Sequence, residues 1–233
     1  MVSNVLFTSP VSVENLVKVT TIFLFLSILV LGFTTAPAFA DNITVQNFSF
    51  ETSLPPIYNV PGVGTWNNGP IPGWTITGGV AGSWQPGPTA FSSVPDGSMV
   101  AFSNGGSISQ VLSSSLAANT LYTLSVGVGN RLDAVVNNLA TTYIIQLFAG
   151  NTLLNSTTGS NTTIPLGTFF DASFNYVSGV TLPAGDLSIV LNSVGAQTDF
   201  DNVRLVAAPV PEPGSLALLA AGLGFAFFVF RRR

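Results

Sequence analysis

The residues of this chain that could do chemistry are acids, hydroxyls, amides and tyrosines, because it contains neither histidine nor cysteine. Its one lysine, Lys18, precedes the region that we expect to fold. The absence of these residue types excludes a Ser-His-Asp or Cys-His nucleophile, a Schiff-base lysine in that region, and a zinc site built on His or Cys. Oxygen ligands remain for a metal, and they favour calcium.

Three carboxylates stand in two short motifs, one near each end of the folded region. Glu51 closes Asn-Phe-Ser-Phe-Glu at 47–51, and Asp199 and Asp201 belong to Asp-Phe-Asp-Asn-Val at 199–203. A lone carboxylate can act as a general acid if burial raises its pKa. The alternative is that these side chains cap strands or hydrogen-bond to turns.

Aromatic side chains gather between Leu54 and Asp96, a stretch rich in proline and glycine. Sugar rings stack on Trp and Tyr faces while amides read their hydroxyls, so this stretch predicts a ligand site. Its residues are Trp66, Trp84, Asn68 and Gln85. Aromatics that merely cover the core are the alternative, which we favour for Trp74 and leave open for Trp66 and Trp84.

Charge is scarce and negative in residues 41–209. Eight carboxylates against Arg131 and Arg204 give a net charge of −6. Nucleic-acid binding requires a positive surface, so we predict no nucleic-acid partner. The close pair Arg131 and Asp133 predicts a loop ion pair, with a ligand contact as the alternative.

Short apolar segments separated by Gly, Asn, Pro and Ser must position these side chains. Alternation of period two is clear in Thr120–Val128, and Gly150-Asn151 predicts a hairpin turn. No long segment of this region has helical periodicity. The fold class is therefore predicted as all-β, an antiparallel β-sandwich of jelly-roll type. The predicted strands are Ile43–Phe50, Gly73–Thr77, Met99–Phe102, Ser107–Leu112, Thr120–Val128, Thr142–Ala149, Thr152–Ser156, Ser173–Thr181, Leu187–Asn192 and Asp199–Val206. Between Leu54 and Asp96 we expect long ordered loops around one or two strands.

The N-terminus predicts a signal peptide. Residues 22–33 form an apolar run of 12, shorter than the roughly 20 residues that cross a bilayer. Ala38 and Ala40 supply the small side chains that signal peptidase requires, so cleavage after Ala40 is expected. An uncleaved anchor is the alternative.

The C-terminus predicts a transmembrane helix. Residues 215–230 carry no charge, and as a helix they would span roughly 24 Å, slightly less than a typical hydrocarbon core. Arg231, Arg232 and Arg233 follow and should stay cytoplasmic, which leaves the folded region outside.

The order Pro211-Glu212-Pro213, apolar segment, arginine cluster resembles the PEP-CTERM sorting signal. That resemblance implies recognition by an exosortase, a membrane cysteine protease, and removal of the tail during sorting. It also implies a bacterium that makes extracellular polysaccharide. A plain membrane anchor with a proline-rich stem is the alternative.

The paired motifs at 47–51 and 199–203 resemble the terminal strands of galactose-binding-like jelly rolls, which include carbohydrate-binding modules. That resemblance implies adjacent terminal strands and a structural Ca²⁺ beside them. Its carboxylate ligands would be Glu51 and Asp201, completed by backbone carbonyls.

The longer pattern, which adds Pro72-Gly73-Trp74-Thr75 and Gly129-Asn130-Arg131, is similar to the secreted Stig cyclases. That resemblance implies a calcium-bound jelly roll that cyclises indole alkaloids in an apolar pocket. Asp199 would be its acid and Trp74 a pocket aromatic.

Together these observations predict a signal peptide at 1–40, a β-sandwich ectodomain at 41–208 and a sorting and anchor segment at 209–233. The chain is expected to be exported, held at the inner membrane at least transiently, and then placed on the cell surface or in the matrix. We expect a noncatalytic protein that binds polysaccharide; the alternative is a calcium-dependent cyclase-like enzyme using Asp199.

Overall fold

Two antiparallel sheets form the domain. The computed structural model describes residues 40–133 and 141–210, together with residues 223, 224, 227 and 231. In these residues the strands are β1 (Asp41–Ile43), β2 (Tyr58–Val60), β3 (Gly64–Asn67), β4 (Thr75–Thr77), β5 (Val80–Pro86), β6 (Val100–Asn104), β7 (Ser107–Ser115), β8 (Thr120–Asn130), β9 (Thr141–Ala149), β10 (Thr152–Ser160), β11 (Thr168–Val177), β12 (Asp186–Gly195) and β13 (Gln197–Pro209), with a 3-10 turn at Asn161–Thr163.

Counted over the described residues, one sheet has eight strands and the other has five. The larger runs β11-β8-β13-β6-β5-β3-β2, with β1 also paired to β13, and the smaller runs β10-β9-β12-β7-β4. Every pairing between these strands is antiparallel. The predicted all-β, antiparallel, jelly-roll-like fold is therefore confirmed.

The core lies between the inner faces of the two sheets. In β8 the side chains of Tyr122, Leu124, Val126 and Val128 are buried, as the alternation of Thr120–Val128 predicts. They belong to one cluster with Ile145 and Leu147 of β9 and with Leu187, Ile189 and Leu191 of β12. Each such aliphatic side chain contributes about 1.5–3 kcal/mol when fully buried.

The first predicted strand, Ile43–Phe50, is wrong over most of its length. Strand β1 ends at Ile43, and the chain then turns because Asn47 and Phe50 adopt positive φ angles of 49° and 60°. The Asn47 amide fixes this turn, since its nitrogen donates to the carbonyls of Thr52 and Pro72 and its oxygen accepts from the Thr52 N–H.

The stretch between Leu54 and Asp96 is more regular than the predicted loops. It contributes four strands, β2, β3, β4 and β5, where one or two were expected. Gly82 makes the β3–β5 contact possible, because a Cβ at this position would lie 1.8 Å from the Asn67 carbonyl oxygen. The hairpin at Gly150-Asn151 is confirmed by the pairing of Thr152 with Ala149.

The two ends of the domain meet at one end of the sandwich. Asp41 pairs with Ala207, and Pro209 pairs with Thr120 at the start of β8. Strands β8 and β13 lead from there to the opposite end, where Asp199 pairs with Gly129. We call the first end, which includes residues 116–119 and 177–184, the tether end, and the second the pocket end.

Most of the predicted export signals lie outside the described residues. These are the apolar run 22–33, Ala38, Pro211, Glu212, Pro213, Arg232, Arg233 and most of 215–230; Ala40 and Arg231 are described, and both are exposed. Within the described part of the chain, no helix has the length and apolar character needed to cross a membrane. The signal peptide and the transmembrane helix remain predictions.

Candidate functional site

A second apolar cluster lies on part of the outer face of the eight-stranded sheet. It consists of Trp84, Ala90, Phe91, Val100 and Phe102, and it is separate from the core between the sheets. The Phe91 ring lies 5.9 Å from Trp84 and 4.6 Å from Phe169, measured between ring centroids. Gly129 leaves room for these rings, since a Cβ there would approach Phe91 to 2.8 Å. Residues between β5 and β6 therefore cover this part of the outer face.

A half-open cavity of about 250 Å³ lies beside this cluster at the pocket end. Its lining combines apolar and hydrogen-bonding side chains. The apolar residues are Val63, Trp66, Val80, Trp84 and Phe102, and the polar ones are Asn68, Asn104, Arg131 and Gln197. Concave sites with this mixture bind small ligands, and this cavity is smaller than those that hold drug-sized ones.

Arg131, just after β8, organises the polar side of the cavity. Its guanidinium carbon lies 4.5 Å from the centre of the Trp84 ring, and two of its nitrogens each contact Asp133 at 2.8 Å. A third nitrogen donates to the Gln197 side-chain oxygen at 3.1 Å. The predicted Arg131–Asp133 ion pair is present, and it is largely enclosed rather than a free surface pair.

Asp199 lies directly behind Gln197 and is only 1% exposed. Successive residues of a strand point to opposite faces, so Gln197 and Asp199 share the outer face while Phe200 packs in the core. The Gln197 amide nitrogen donates to Asp199 Oδ1 at 2.7 Å. Burial raises the pKa of Asp199 to about 7, against the lowering effects of this hydrogen bond and of the Arg131 charge. The lining of the cavity includes Gln197 but not Asp199.

Glu51 and Asp201 hold the segment between Pro95 and Val100. Glu51 Oε1 accepts the N–H groups of Ser98 and Met99, at 2.8 and 2.6 Å. Asp201 is buried and accepts the N–H groups of Asp96 and Asn202, at 3.0 and 2.7 Å. Burial raises the pKa of Asp201 to about 7; its two hydrogen bonds lower it, and the charges of Asp96 and Glu51 raise it further.

The terminal motifs therefore meet, as the paired-motif resemblance implies. The Val203 N–H donates to the Phe48 carbonyl at 2.9 Å, which joins the two motifs directly. A carboxylate offers about four acceptor positions, so Glu51 and Asp201 keep capacity for a hard cation, and their oxygens suit calcium. Within the described residues, however, no three acidic, histidine or cysteine side chains assemble into a metal-binding group.

Only some of the predicted ligand residues come together. Trp66 and Asn68 line the cavity; Trp84 also lines it but is 2% exposed, so it forms part of the wall. Gln85 follows Trp84 in β5, points to the other face and does not line the cavity. Trp74 packs in the core against Phe50, with ring centroids 5.3 Å apart, and its indole nitrogen donates to the Asn47 carbonyl.

Sequence reasoning did not identify Gln197, Asn104 or Phe102 as part of this site. The spacing of Gln197 and Asp199 places both on one face of a strand, and this is the signal that could have identified Gln197. Asn104 and Phe102 gave no such signal, because their partners Gln197 and Asp199 lie on β13, far away in the chain.

Comparison with known proteins adds a family and a sorting signal. The family described as HpiC1 cyclase matches residues 41–206, and the PEP-CTERM protein-sorting motif matches residues 209–233. No curated protein is a significant match for the chain.

Solved cyclase structures share the fold. A cyclase from Fischerella sp. TAU is 25% identical with a TM-score of 0.60, covering 74% of this chain and 100% of that one. The apo form of a cyclase from Fischerella sp. is 24% identical with a TM-score of 0.59, covering 74% and 98%. The Stig cyclase Fisc from Fischerella sp. TAU, in complex with (3Z)-3-(1-methyl-2-pyrrolidinylidene)-3H-indole, is 23% identical with a TM-score of 0.59, covering 74% and 100%.

The chain is therefore a member of the HpiC1-like family, as the extent of the family match and the fold shared with these cyclases show, and it carries a PEP-CTERM sorting signal at its C-terminus.

Proposed function

We propose that this protein is an exosortase-sorted surface protein whose pocket-end cavity binds one ring of a neutral extracellular polysaccharide, without catalysing a reaction. The PEP-CTERM motif supports export and sorting to the cell surface. The observation that carries the binding function is the cavity itself, in which the half-buried Trp66 stands beside the amides of Asn68, Asn104 and Gln197. An aromatic face with several amides suits a sugar ring.

Charge favours a neutral ligand over an acidic one. Among the described residues that line the cavity, Arg131 is the only cation, and three of its nitrogens already bind Asp133 and Gln197. The domain carries a net charge of −6, which repels polyanions. A neutral ring is therefore the class of ligand that this cavity accepts at the lowest electrostatic cost.

Removal of the Trp66 ring should weaken glycan binding. On a glycan array with the exported domain, we expect Trp66→Ala to lower the affinity for the best neutral ligand at least tenfold, which corresponds to about 1.4 kcal/mol. Trp66→Phe keeps an aromatic face and should retain most of the binding. Binding to no glycan at any calcium concentration, or an unchanged affinity in Trp66→Ala, would refute the proposal.

A cyclase-like enzyme is the second candidate, and Asp199 favours it. This carboxyl is fully buried and hydrogen-bonds to a residue that lines the cavity. A buried carboxyl that stays protonated near neutral pH can serve as a general acid. A movement of Gln197 would be needed for contact with a substrate, because Asp199 does not line the cavity.

The two candidates are separated by turnover. A cyclase would convert an indole-containing precursor of the kind that the Stig cyclases handle, and Asp199→Asn would abolish conversion while leaving binding intact. A binding protein would leave such precursors unchanged over long incubation. Product analysis of the wild-type protein and Asp199→Asn by mass spectrometry with chromatographic separation of isomers makes this comparison.

We also propose that Ca²⁺ binds at Glu51 and Asp201, where it would offset the crowding of carboxylates beside Asp96. If calcium binds only the folded state, a concentration 100 times its Kd adds about 2.7 kcal/mol of stability. For a domain of this size that raises Tm by roughly 5–10 °C. Melting curves with calcium and with chelator measure the difference.

The double variant Glu51→Gln, Asp201→Asn serves as the control for calcium. It should show the same Tm in calcium and in chelator, whatever its absolute stability. A wild-type Tm that does not respond to calcium would contradict the metal site while leaving the sugar-binding proposal standing.

A further inference from the structure

The tether end is a single hydrogen-bonded unit that includes the first residue of the sorting segment beyond β13. The Val210 N–H donates to the Asn119 carbonyl at 2.8 Å, and the Asn119 N–H donates to the Gly179 carbonyl at 3.4 Å. Ser178 is bonded to Thr120 through both its backbone and its hydroxyl, and its hydroxyl also donates to the Ala117 carbonyl. The 177–184 segment is thereby fixed beside the point where the chain leaves the domain.

This end of the sandwich exposes apolar side chains. Val180 is 79% exposed and Val177 is 58% exposed, and they are among the most exposed large apolar residues described. Neither 116–119 nor 177–184 contains a charged residue. The neighbouring Asp186 accepts a hydrogen bond from the Ser115 hydroxyl. Exposed valines without charged neighbours in their own segment suit contact with an apolar partner.

The chain outside the domain indicates which partner this is. Only residues 211–214 separate Val210 from the uncharged segment that begins at Ser215. Even fully extended, this connection reaches less than about 20 Å. Asp41 lies at the same end, so a membrane segment on either side of the domain would hold the tether end at the bilayer surface.

We propose that the tether end docks on the lipid bilayer, with Val177 and Val180 inserted at the interface and the cavity held at the opposite, outward-facing end. This inference rests on the membrane step of the proposed sorting. While the protein is anchored, its ligand therefore arrives from the side away from the membrane, and the domain stands upright rather than lying on one of its sheets. The partner of the tether end is a lipid surface.

Environment-sensitive dyes attached at single cysteines test the docking. The chain contains no cysteine, so Val180→Cys gives one unique site, and the high exposure of Val180 makes the change harmless to folding. The full chain is reconstituted into phosphatidylcholine and phosphatidylglycerol vesicles and isolated by flotation. We expect a blue shift of the dye emission on reconstitution, and quenching by lipids brominated on their acyl chains.

Val194→Cys is the matched control. Val194 is 55% exposed and lies at the pocket end, where it pairs with Thr142. Its dye should show neither the shift nor the quenching. Flotation with no change at position 180, or with equal changes at both positions, would overturn the docking alone. A chain that does not float with the vesicles would overturn the docking and the proposed membrane step together.

Discussion

Asp199→Asn is expected to change the free energy of unfolding differently at pH 8 and at pH 4. The change should be more favourable at pH 8, by an amount on the order of 4 kcal/mol. The buried carboxyl of Asp199 has its pKa raised from 3.8 to about 7. Between these two values the folded state holds a proton that the unfolded state has lost. The wild-type free energy of unfolding therefore falls as pH rises from about 4 to about 7, and the full penalty remains above that range.

Asparagine preserves the local structure and removes the titration. Its side-chain oxygen can accept the hydrogen bond that Gln197 now donates to Asp199 Oδ1. Asp201 is also buried with a pKa raised to about 7, so about half of the total pH dependence should survive in Asp199→Asn. Urea denaturation across this pH range, with chelator present so that no metal replaces the proton on Asp201, measures the effect.

Asp171→Asn provides the matched substitution at the surface. Asp171 is exposed and pairs with Arg204 at 2.8 Å, so its removal should change stability by less than about 1 kcal/mol at any pH. Two results would contradict this prediction: a wild-type free energy of unfolding that rises with pH over this range, or the same dependence on pH in wild type and Asp199→Asn. Either would show that the Asp199 carboxyl is ionised in the folded state at lower pH than its burial implies.

The sheet core was predictable from sequence because its periodicity is local. Strand β8 buries every second residue from Tyr122 to Val128, and the alternation of Thr120–Val128 is visible in the sequence without any partner strand. The meeting of the terminal motifs was also anticipated, but through a family resemblance rather than through periodicity. The sheet core can thus be read from a few neighbouring residues, and the meeting of the terminal motifs from a familiar pair of motifs.

The outer face of the larger sheet could not be predicted in the same way. A strand pattern shows that Gln197 and Asp199 share a face, but it does not show that a distant segment covers that face. The cover includes Ala90 and Phe91, and the Ala90 carbonyl accepts the N–H of Leu132, which directly follows Arg131. The burial of Asp199 thus depends on contacts between segments that are far apart in the chain.

Trp66 and Trp84 illustrate the same limit. They are directly opposite each other on paired strands β3 and β5, and both line the cavity. Their different burial arises from Arg131 and Phe91, which pack on Trp84. Trp66 instead stacks on the exposed Tyr58, with ring centroids 5.2 Å apart and the planes inclined by 19°. Composition alone therefore left the roles of the two tryptophans open.

This difference leads to the second large effect, which is on stability. Trp84→Ala should destabilise the domain by about 3–5 kcal/mol, because it leaves a cavity beneath Arg131 and Phe91 in a well-packed cluster. It also removes the ring on which the Arg131 guanidinium lies. Since each kcal/mol shifts Tm by roughly 2–4 °C in a domain of this size, a fall of at least about 6 °C is expected by calorimetry.

Trp66→Ala is the matched comparison, because it deletes the same side chain from the facing position of the neighbouring strand. It should cost less than Trp84→Ala by about 2 kcal/mol or more, since Trp66 is only half-buried and its stacking partner Tyr58 is exposed. Trp84→Phe should recover part of the lost stability by refilling the space. Equal losses in Trp66→Ala and Trp84→Ala would mean that both rings are structural, and the cavity would then lack the free aromatic face on which sugar binding depends.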